Sequence, residues 1–308
     1  MISFRYRERR TPIHRLNPLC KLLWCAGILV LALILDHPLF LLLLFLSTLP
    51  LVFAAGVIKE WASFIRLALY LCIAIIIINA LLSYSGAHVL YQAPFRVPVL
   101  GIPTITLEAV VFGVAMCLRL LAIISAFAVI TLTVHPDDIM LAMIKLKLPY
   151  KSVLVTSLST RFMPTLVEDA ERITDVQRSR GLELNRGSLF KRMKNRIHII
   201  MPLLSNSLDR TVQVAEAMES RAFGSGSNRT YYRDIKLNTI DVISLVLAFS
   251  PLAFGIFVSV SGYAAYRYYP ALGALNLGID TWSAMAVLTL LSASLVPLAF
   301  LKRRLELD

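Results

Sequence analysis

Six long apolar stretches limit what this chain can become. They run over roughly 19–35, 39–58, 64–84, 108–134, 241–262 and 282–301 of the 308 residues. About 20 apolar residues, wound at about 1.5 Å per residue, match the hydrocarbon thickness of a bilayer. Within a bilayer, a helix satisfies all its backbone groups inside one segment. Each stretch is therefore expected to be a membrane-spanning helix. Composition agrees, with 57% hydrophobic residues and a mean hydropathy of +0.72. The expected fold is all-α, a polytopic membrane helix bundle.

Basic residues orient that bundle. Arg5, Arg7, Arg9, Arg10 and Arg15 precede the first stretch, Lys59 and Arg66 follow the second, and Lys302, Arg303 and Arg304 end the chain. Residues 135–238 hold 17 of the 31 Lys and Arg, whereas the alternate loops hold only Arg96 and Arg267. The positive-inside rule places both termini and 135–238 in the cytoplasm. The expected organisation is an N-terminal membrane domain over 1–134, a cytoplasmic domain over 135–238 and two further spans over 239–308. The +12 net charge is mostly topological. Nucleic-acid binding is set aside, because the basic residues sit among spans without interleaved aromatics. The N-terminus is polar and basic with no small-residue cleavage site, so no cleavable signal peptide is expected.

Polar residues within the apolar stretches are few. Asn79 reads as an interhelical hydrogen bond. Arg119, near mid-depth of the fourth stretch, needs an acid or carbonyls facing the bundle interior; it reads as a structural anchor, with a transport or gating role as the alternative. Cys20, Cys25, Cys72 and Cys117 lie in apolar runs without metal or redox spacing and read as small buried hydrophobes. Phe95 to Pro103 is expected to form an extended hairpin in an outer loop. His135-Pro136-Asp137-Asp138 carries the marks of a helix start.

The polar middle of the chain contains one pattern twice. Met163-Pro164 is followed by an amphipathic stretch that stops at Ser179-Arg180-Gly181. Met201-Pro202 is followed by another that stops at Ser220-Arg221-Ala222. Proline suits a first helical turn and glycine a helix stop, so each unit predicts one rod starting at its proline. The arginines would then lie roughly 24 and 28 Å from those prolines. Met163, Leu166, Val167, Ala170, Ile173 and Gln177 make one apolar stripe, and Leu204, Leu208, Val212, Ala215 and Met218 the other. The stripes are expected to pack on each other and to offer part of their surface to another subunit, with Leu166, Ile173, Leu208 and Val212 as that platform. Between the rods, Ser188 caps a helix carrying Lys191, Arg192, Lys194 and Arg196, a basic face suited to lipid headgroups. Gly224 to Thr230 reads as a flexible linker.

No Walker motif, zinc-protease motif or nucleophile elbow is present, and the five histidines are scattered. A cytoplasmically gated permease and a membrane enzyme remain as alternatives. The first would show a midplane polar site in related halves; the second needs clustered acids, His or Cys.

From residue 12 to about 225 the chain resembles the transmembrane T component of energy-coupling factor (ECF) transporters, the EcfT/CbiQ type. The resemblance rests on Leu16-Asn17-Pro18 with Lys21-Leu22-Leu23, Thr106-Leu107-Glu108 with Leu118-Arg119-Leu120, Thr131 to Asp138, Leu148-Pro149 and Arg161-Phe162-Met163-Pro164. Above all it rests on the paired Ser-Arg-small endings. It implies that the rods are coupling helices whose tips, Ser179, Arg180, Gly181 and Ser220, Arg221, Ala222, dock in two ATP-binding-cassette (ABC) ATPases. It implies that a small membrane S component captures a vitamin or a metal ion such as cobalt or nickel. ATP-Mg is then used by the partners, and this chain binds no cofactor or metal. Serine precedes each arginine where the family more often has alanine.

Overall fold

Each of the first helices is started by the residue before a proline. Asn17 Oδ1 accepts from the Leu19 N–H at 3.1 Å, opening α1 (Pro18–Ile34). His37 Nδ1 accepts from the Leu39 N–H at 3.3 Å, opening α2 (Pro38–Ala55). Burial lowers the pKa of His37, which keeps the ring neutral and Nδ1 free to accept. Next come α3 (Ile58–Leu82) and a two-stranded antiparallel ribbon of β1 (Val89–Gln92) and β2 (Thr104–Thr106). Thr106 Oγ1 accepts from the Ala109 N–H and starts α4 (Leu107–Thr133). Then follow α5 (Tyr150–Ser179), α6 (Leu189–Ser220), α7 (Thr239–Val260), α8 (Ile279–Ala293) and α9 (Leu295–Leu305). This computed structural model describes residues 11–14, 16–82, 86–92, 104–135, 138–139, 142, 149–182, 188–225, 239–273 and 278–305.

Among the described residues, five helical stretches are apolar and long enough to cross a membrane: Pro38–Ala55, Ile58–Ala80, Leu107–Thr133, Thr239–Val260 and Ile279–Lys302. The chain is a multi-pass membrane protein and, apart from the ribbon, all-α. The first expected span, α1, is the shortest at 17 residues. The last is broken at Ser294, because Pro297 has no N–H to give to the Ala293 carbonyl.

The chain divides into two compact units, Met1–Ile139 with Ile235–Asp308, and Met140–Asp234. The N- and C-terminal membrane segments thus share one unit. In it, α4 lies against α1, α2 and α3, while α1 packs on α7 and α2 on α8. Trp24, Ile28, Leu31, Phe40, Leu44 and Leu288 are fully buried, and Ala122 and Ala126 put a small-residue seam on α4. Small residues let apolar helices approach closely in a bilayer, where greasy side chains gain little from leaving lipid. A Cβ on Gly113 would lie 3.3 Å from the Ile76 Cα, so α3 and α4 approach closely at this glycine. All four cysteines are buried and free.

The Met140–Asp234 unit is built on α5 and α6, which pack on each other. Their starts differ from the expectation. Pro164 and Pro202 lie inside the helices, because each helix begins 13 or 14 residues earlier, at Tyr150 and Leu189. Helical sequence upstream outweighs the preference of proline for a first turn. The rods are 30 and 32 residues long, about 45 and 48 Å. The Leu189 start does agree with Ser188 as the preceding residue. The expected hairpin at 95–103 and most of the 135–148 and 224–230 stretches lie outside the described residues.

Candidate functional site

The repeated Ser-Arg-small endings share one backbone geometry. At the end of α5 the Gly181 N–H donates to the Arg178 carbonyl at 2.9 Å and the Leu182 N–H to the Gln177 carbonyl at 3.0 Å. At the end of α6 the Ala222 N–H donates to Glu219 at 2.8 Å and the Phe223 N–H to Met218 at 3.0 Å. Both are Schellman caps, which satisfy last-turn carbonyls by turning one residue left-handed. That residue is Gly181 (φ +85) in one and Ala222 (φ +54) in the other. Arg180 and Arg221 are therefore both C-cap residues, at matching positions.

The serines repeat as well. Ser179 Oγ donates to the Asp175 carbonyl at 3.0 Å and Ser220 Oγ to the Ala217 carbonyl at 3.1 Å, so each is spent on its own helix. The two arginines are exposed, and no described residue pairs with their guanidinium groups. Arg178, two positions away, lies 3.8 Å from Asp175 on its own helix. The small third residue thus has a conformational cause, the left-handed turn, which sequence spacing alone did not reveal. Ala222 is the only non-glycine residue with positive φ among the described ones, and alanine carries a cost there that glycine does not.

Behind the tips, an Arg210 Nη2–Asp169 Oδ2 ion pair of 2.9 Å joins the rods. Half-buried Leu166, Ala170, Ile173 and Gln177 follow the expected α5 stripe, but Met163 and Val167 are exposed. On α6 the half-buried face is Leu203, Ser207, Arg210, Val214 and Met218. The expected α6 stripe is displaced from it: Leu204, Leu208 and Val212 are open, with Val212 55% exposed. Apart from Met218, which lies on the packed face, its residues sit one or two positions from that face, and Arg210 occupies the seam because Asp169 answers it. The platform candidates therefore separate into Leu166 and Ile173, half-buried, and Leu208 and Val212, exposed.

Three polar anchors hold the other unit. Arg119 Nη2 donates to the Leu35 carbonyl at 3.0 Å and to Asp36 Oδ1 at 2.9 Å, tying α4 to the α1–α2 turn. The Tyr268 hydroxyl donates to the Asp36 carbonyl at 2.6 Å. Burial pushes that phenol up to about 12, so it remains a donor. At the other end of α4, buried Lys21 donates to the Thr133 carbonyl at 2.9 Å and the His14 carbonyl at 3.3 Å. Next to Lys21 in α1, Cys20 Sγ lies 3.6 Å from the carbonyl of buried Asp241, which opens α7 and pairs with Lys302 Nζ at 2.8 Å. Adjacent residues of α1 thus hold both places where the chain leaves and re-enters this unit.

In the sequence Lys21 has no role beyond its place among the residues of the resemblance, and the Asp241–Lys302 pair does not stand out at all. Lys21 was legible as a charge inside an apolar run; the pair, 61 residues apart, carries no local signal. Fully buried Glu108, quoted in the sequence only among the residues of the resemblance, accepts from the His88 N–H, and His88 Nδ1 lies 2.8 Å from its carboxylate. Among the described residues, no group of three or more His, Cys, Asp or Glu could hold a metal ion.

Residues 9–232 match the CbiQ family, described as cobalt transport protein. The energy-coupling factor transporter transmembrane protein EcfT of Lactococcus lactis subsp. cremoris is 32% identical over 263 residues, covering 80% of this chain and 94% of that protein. EcfT of Streptococcus equi subsp. equi is 30% identical over 258 residues, covering 80% and 92%. EcfT of Staphylococcus aureus is 29% identical over 271 residues, covering 84% and 96%. Together with the paired helix tips, these matches mean that the chain belongs to the EcfT/CbiQ family, the transmembrane components of energy-coupling factor transporters.

Proposed function

We propose that this chain couples two ABC ATPases to a small membrane S component and drives uptake of a vitamin or a transition-metal ion such as cobalt or nickel. The observation that carries the reading is the pair of matching caps, each presenting an exposed C-cap arginine with which no described residue pairs. A helix dipole favours a cation at that end, but it accepts any cation and needs no repeated geometry. A guanidinium fork binds a carboxylate bidentately and resists tilting. The rigid cap fixes where the fork points, so motion of an ATPase groove is passed to the rod.

Arg180 serves one ATPase and Arg221 the other. ATP-Mg is bound and hydrolysed by those partners, and this chain contributes no catalytic residue. The Arg210–Asp169 pair keeps the rods moving as one body. Leu208 and Val212 meet the S component, with Leu166 and Ile173 supporting them from the rod seam. The protein lies in the cell membrane with both termini and the Met140–Asp234 unit in the cytoplasm. Affinity purification of the tagged chain from its native host tests this. Two ATPases and a small membrane protein should come down with it, and the Arg180→Ala, Arg221→Ala variant should hold the ATPases more weakly while keeping the small membrane protein. A wild-type chain that purifies without any ATPase would overturn the reading.

A further inference from the structure

The first half of α6 differs from the second in charge and surface. From Leu189 to Leu208 there are four Lys or Arg and no acid; from Asp209 to Ser220 there are three acids and one arginine. The basic half also carries large open apolar side chains. Phe190 and Met193 are 82% and 68% exposed, and Ile197, Ile200, Met201 and Leu204 are exposed as well. At about 100° per residue these six fall within an arc of about 120°. That arc adjoins, without overlapping, the face packed on α5. Lys191, Lys194 and His198 take register positions along one flank and Arg196 along the other.

We infer that residues 189–204 form an interfacial helix segment that lies on an anionic bilayer surface, its apolar arc in the acyl boundary and its basic flanks at lipid phosphates. A helix in the interface plane has this distribution: an apolar face of Phe, Met and Ile, basic residues beside it, and no acids to repel the headgroups. Long basic side chains reach up to phosphates while their stems cover apolar surface. Charge decides against a protein occupant for this half. The other unit spans the bilayer, so an apolar surface edged with anionic headgroups is already adjacent to the chain. The acid-containing second half lacks this match and is left to subunit contacts. The inference does not depend on the ATPases.

The test uses the full chain alone in nanodiscs, either pure phosphatidylcholine or an equimolar mixture with phosphatidylglycerol. Single nitroxide labels are placed at Met193, Ile197 and, as a control, Gln213 in a background without the native cysteines. In the anionic discs, labels at 193 and 197 should collide readily with oxygen and poorly with a water-soluble nickel chelate, while 213 stays nickel-accessible. Each basic residue contributes about fivefold to the docked-to-undocked ratio. The triple change Lys191→Gln, Lys194→Gln, Arg196→Gln should therefore return 193 and 197 to nickel access, as should phosphatidylcholine or high salt. Equal nickel access in both discs overturns the inference. Equal burial in both discs overturns the headgroup assignment. Shielding that arises only when the S component is added, whatever the lipid, shows a protein occupant and also overturns it.

Discussion

Replacing Ala222 with glycine tests the geometry of the α6 tip without touching either arginine. Ala222 holds φ +54, where an L-residue pays about 1–2 kcal/mol that glycine does not. Glycine gives back about 0.5–1 kcal/mol through the greater freedom of the unwound chain. The difference favours the glycine cap by about 0.7 kcal/mol, a factor of about 3 in the local opening equilibrium. The affected groups are known: the N–H of 222 bonded to Glu219 and the N–H of Phe223 bonded to Met218. Hydrogen–deuterium exchange of the protein in nanodiscs, read on a peptide spanning 216–225, should slow about threefold. Gly181→Ala should do the reverse at the α5 tip, since φ +85 suits glycine and no described neighbour crowds the position. Unchanged exchange in both variants, or faster exchange in Ala222→Gly with slower exchange in Gly181→Ala, would refute the left-handed caps and with them the matched presentation of Arg180 and Arg221.

The buried Asp241–Lys302 pair should behave as a unit: Asp241→Leu strands Lys302 and should cost about 3 kcal/mol, whereas Asp241→Leu with Lys302→Met should recover more than half of it, read as the unfolding midpoint in detergent. Val212→Asp, at an exposed site, should leave the chain folded and release the S component on purification; Ile173→Asp, in the seam, should instead lower accumulation of the chain itself. An impermeant thiol reagent on intact cells, with the native cysteines removed, should label a cysteine at Leu90 or Arg267 and spare one at Ser188 or Ser225. Labelling at Ser225 would reverse the proposed orientation.

The spans and the paired endings were legible in the sequence because each depends on local signals. An apolar run of a given length, or a polar–basic–small ending, carries its meaning within a few residues. What stayed hidden was set by distant parts of the chain. Arg119 needed an acid, and none lies near it in its own span; Asp36, 83 residues earlier, supplies it. Asp169 carries no local signal, because its partner Arg210 lies 41 residues on and across the seam. The prolines misled for a different reason. Pro164 and Pro202 have strong local meaning as helix starts, but a missing N–H inside a long helix removes one bond, and the packing of α5 on α6 holds the turns on either side. The α6 stripe failed because two apolar arcs adjoin, and periodicity does not say which one meets α5.

The central claim is that Arg180 and Arg221 transmit work rather than hold the fold. Its most direct test is the number of substrate molecules imported per ATP hydrolysed, measured in proteoliposomes containing the whole transporter. Losing a C-cap cation should cost the helix only about 0.3–1 kcal/mol, whereas losing a desolvated charge pair at a subunit interface costs about 2–5 kcal/mol. Arg180→Ala with Arg221→Ala should therefore insert and accumulate like wild type, yet import per ATP should fall by tenfold or more. Each single change should give an intermediate loss, lysine should restore only part of it, and Arg178→Ala should change little because Arg178 is turned onto Asp175. A double variant that imports as much per ATP as wild type would contradict the account.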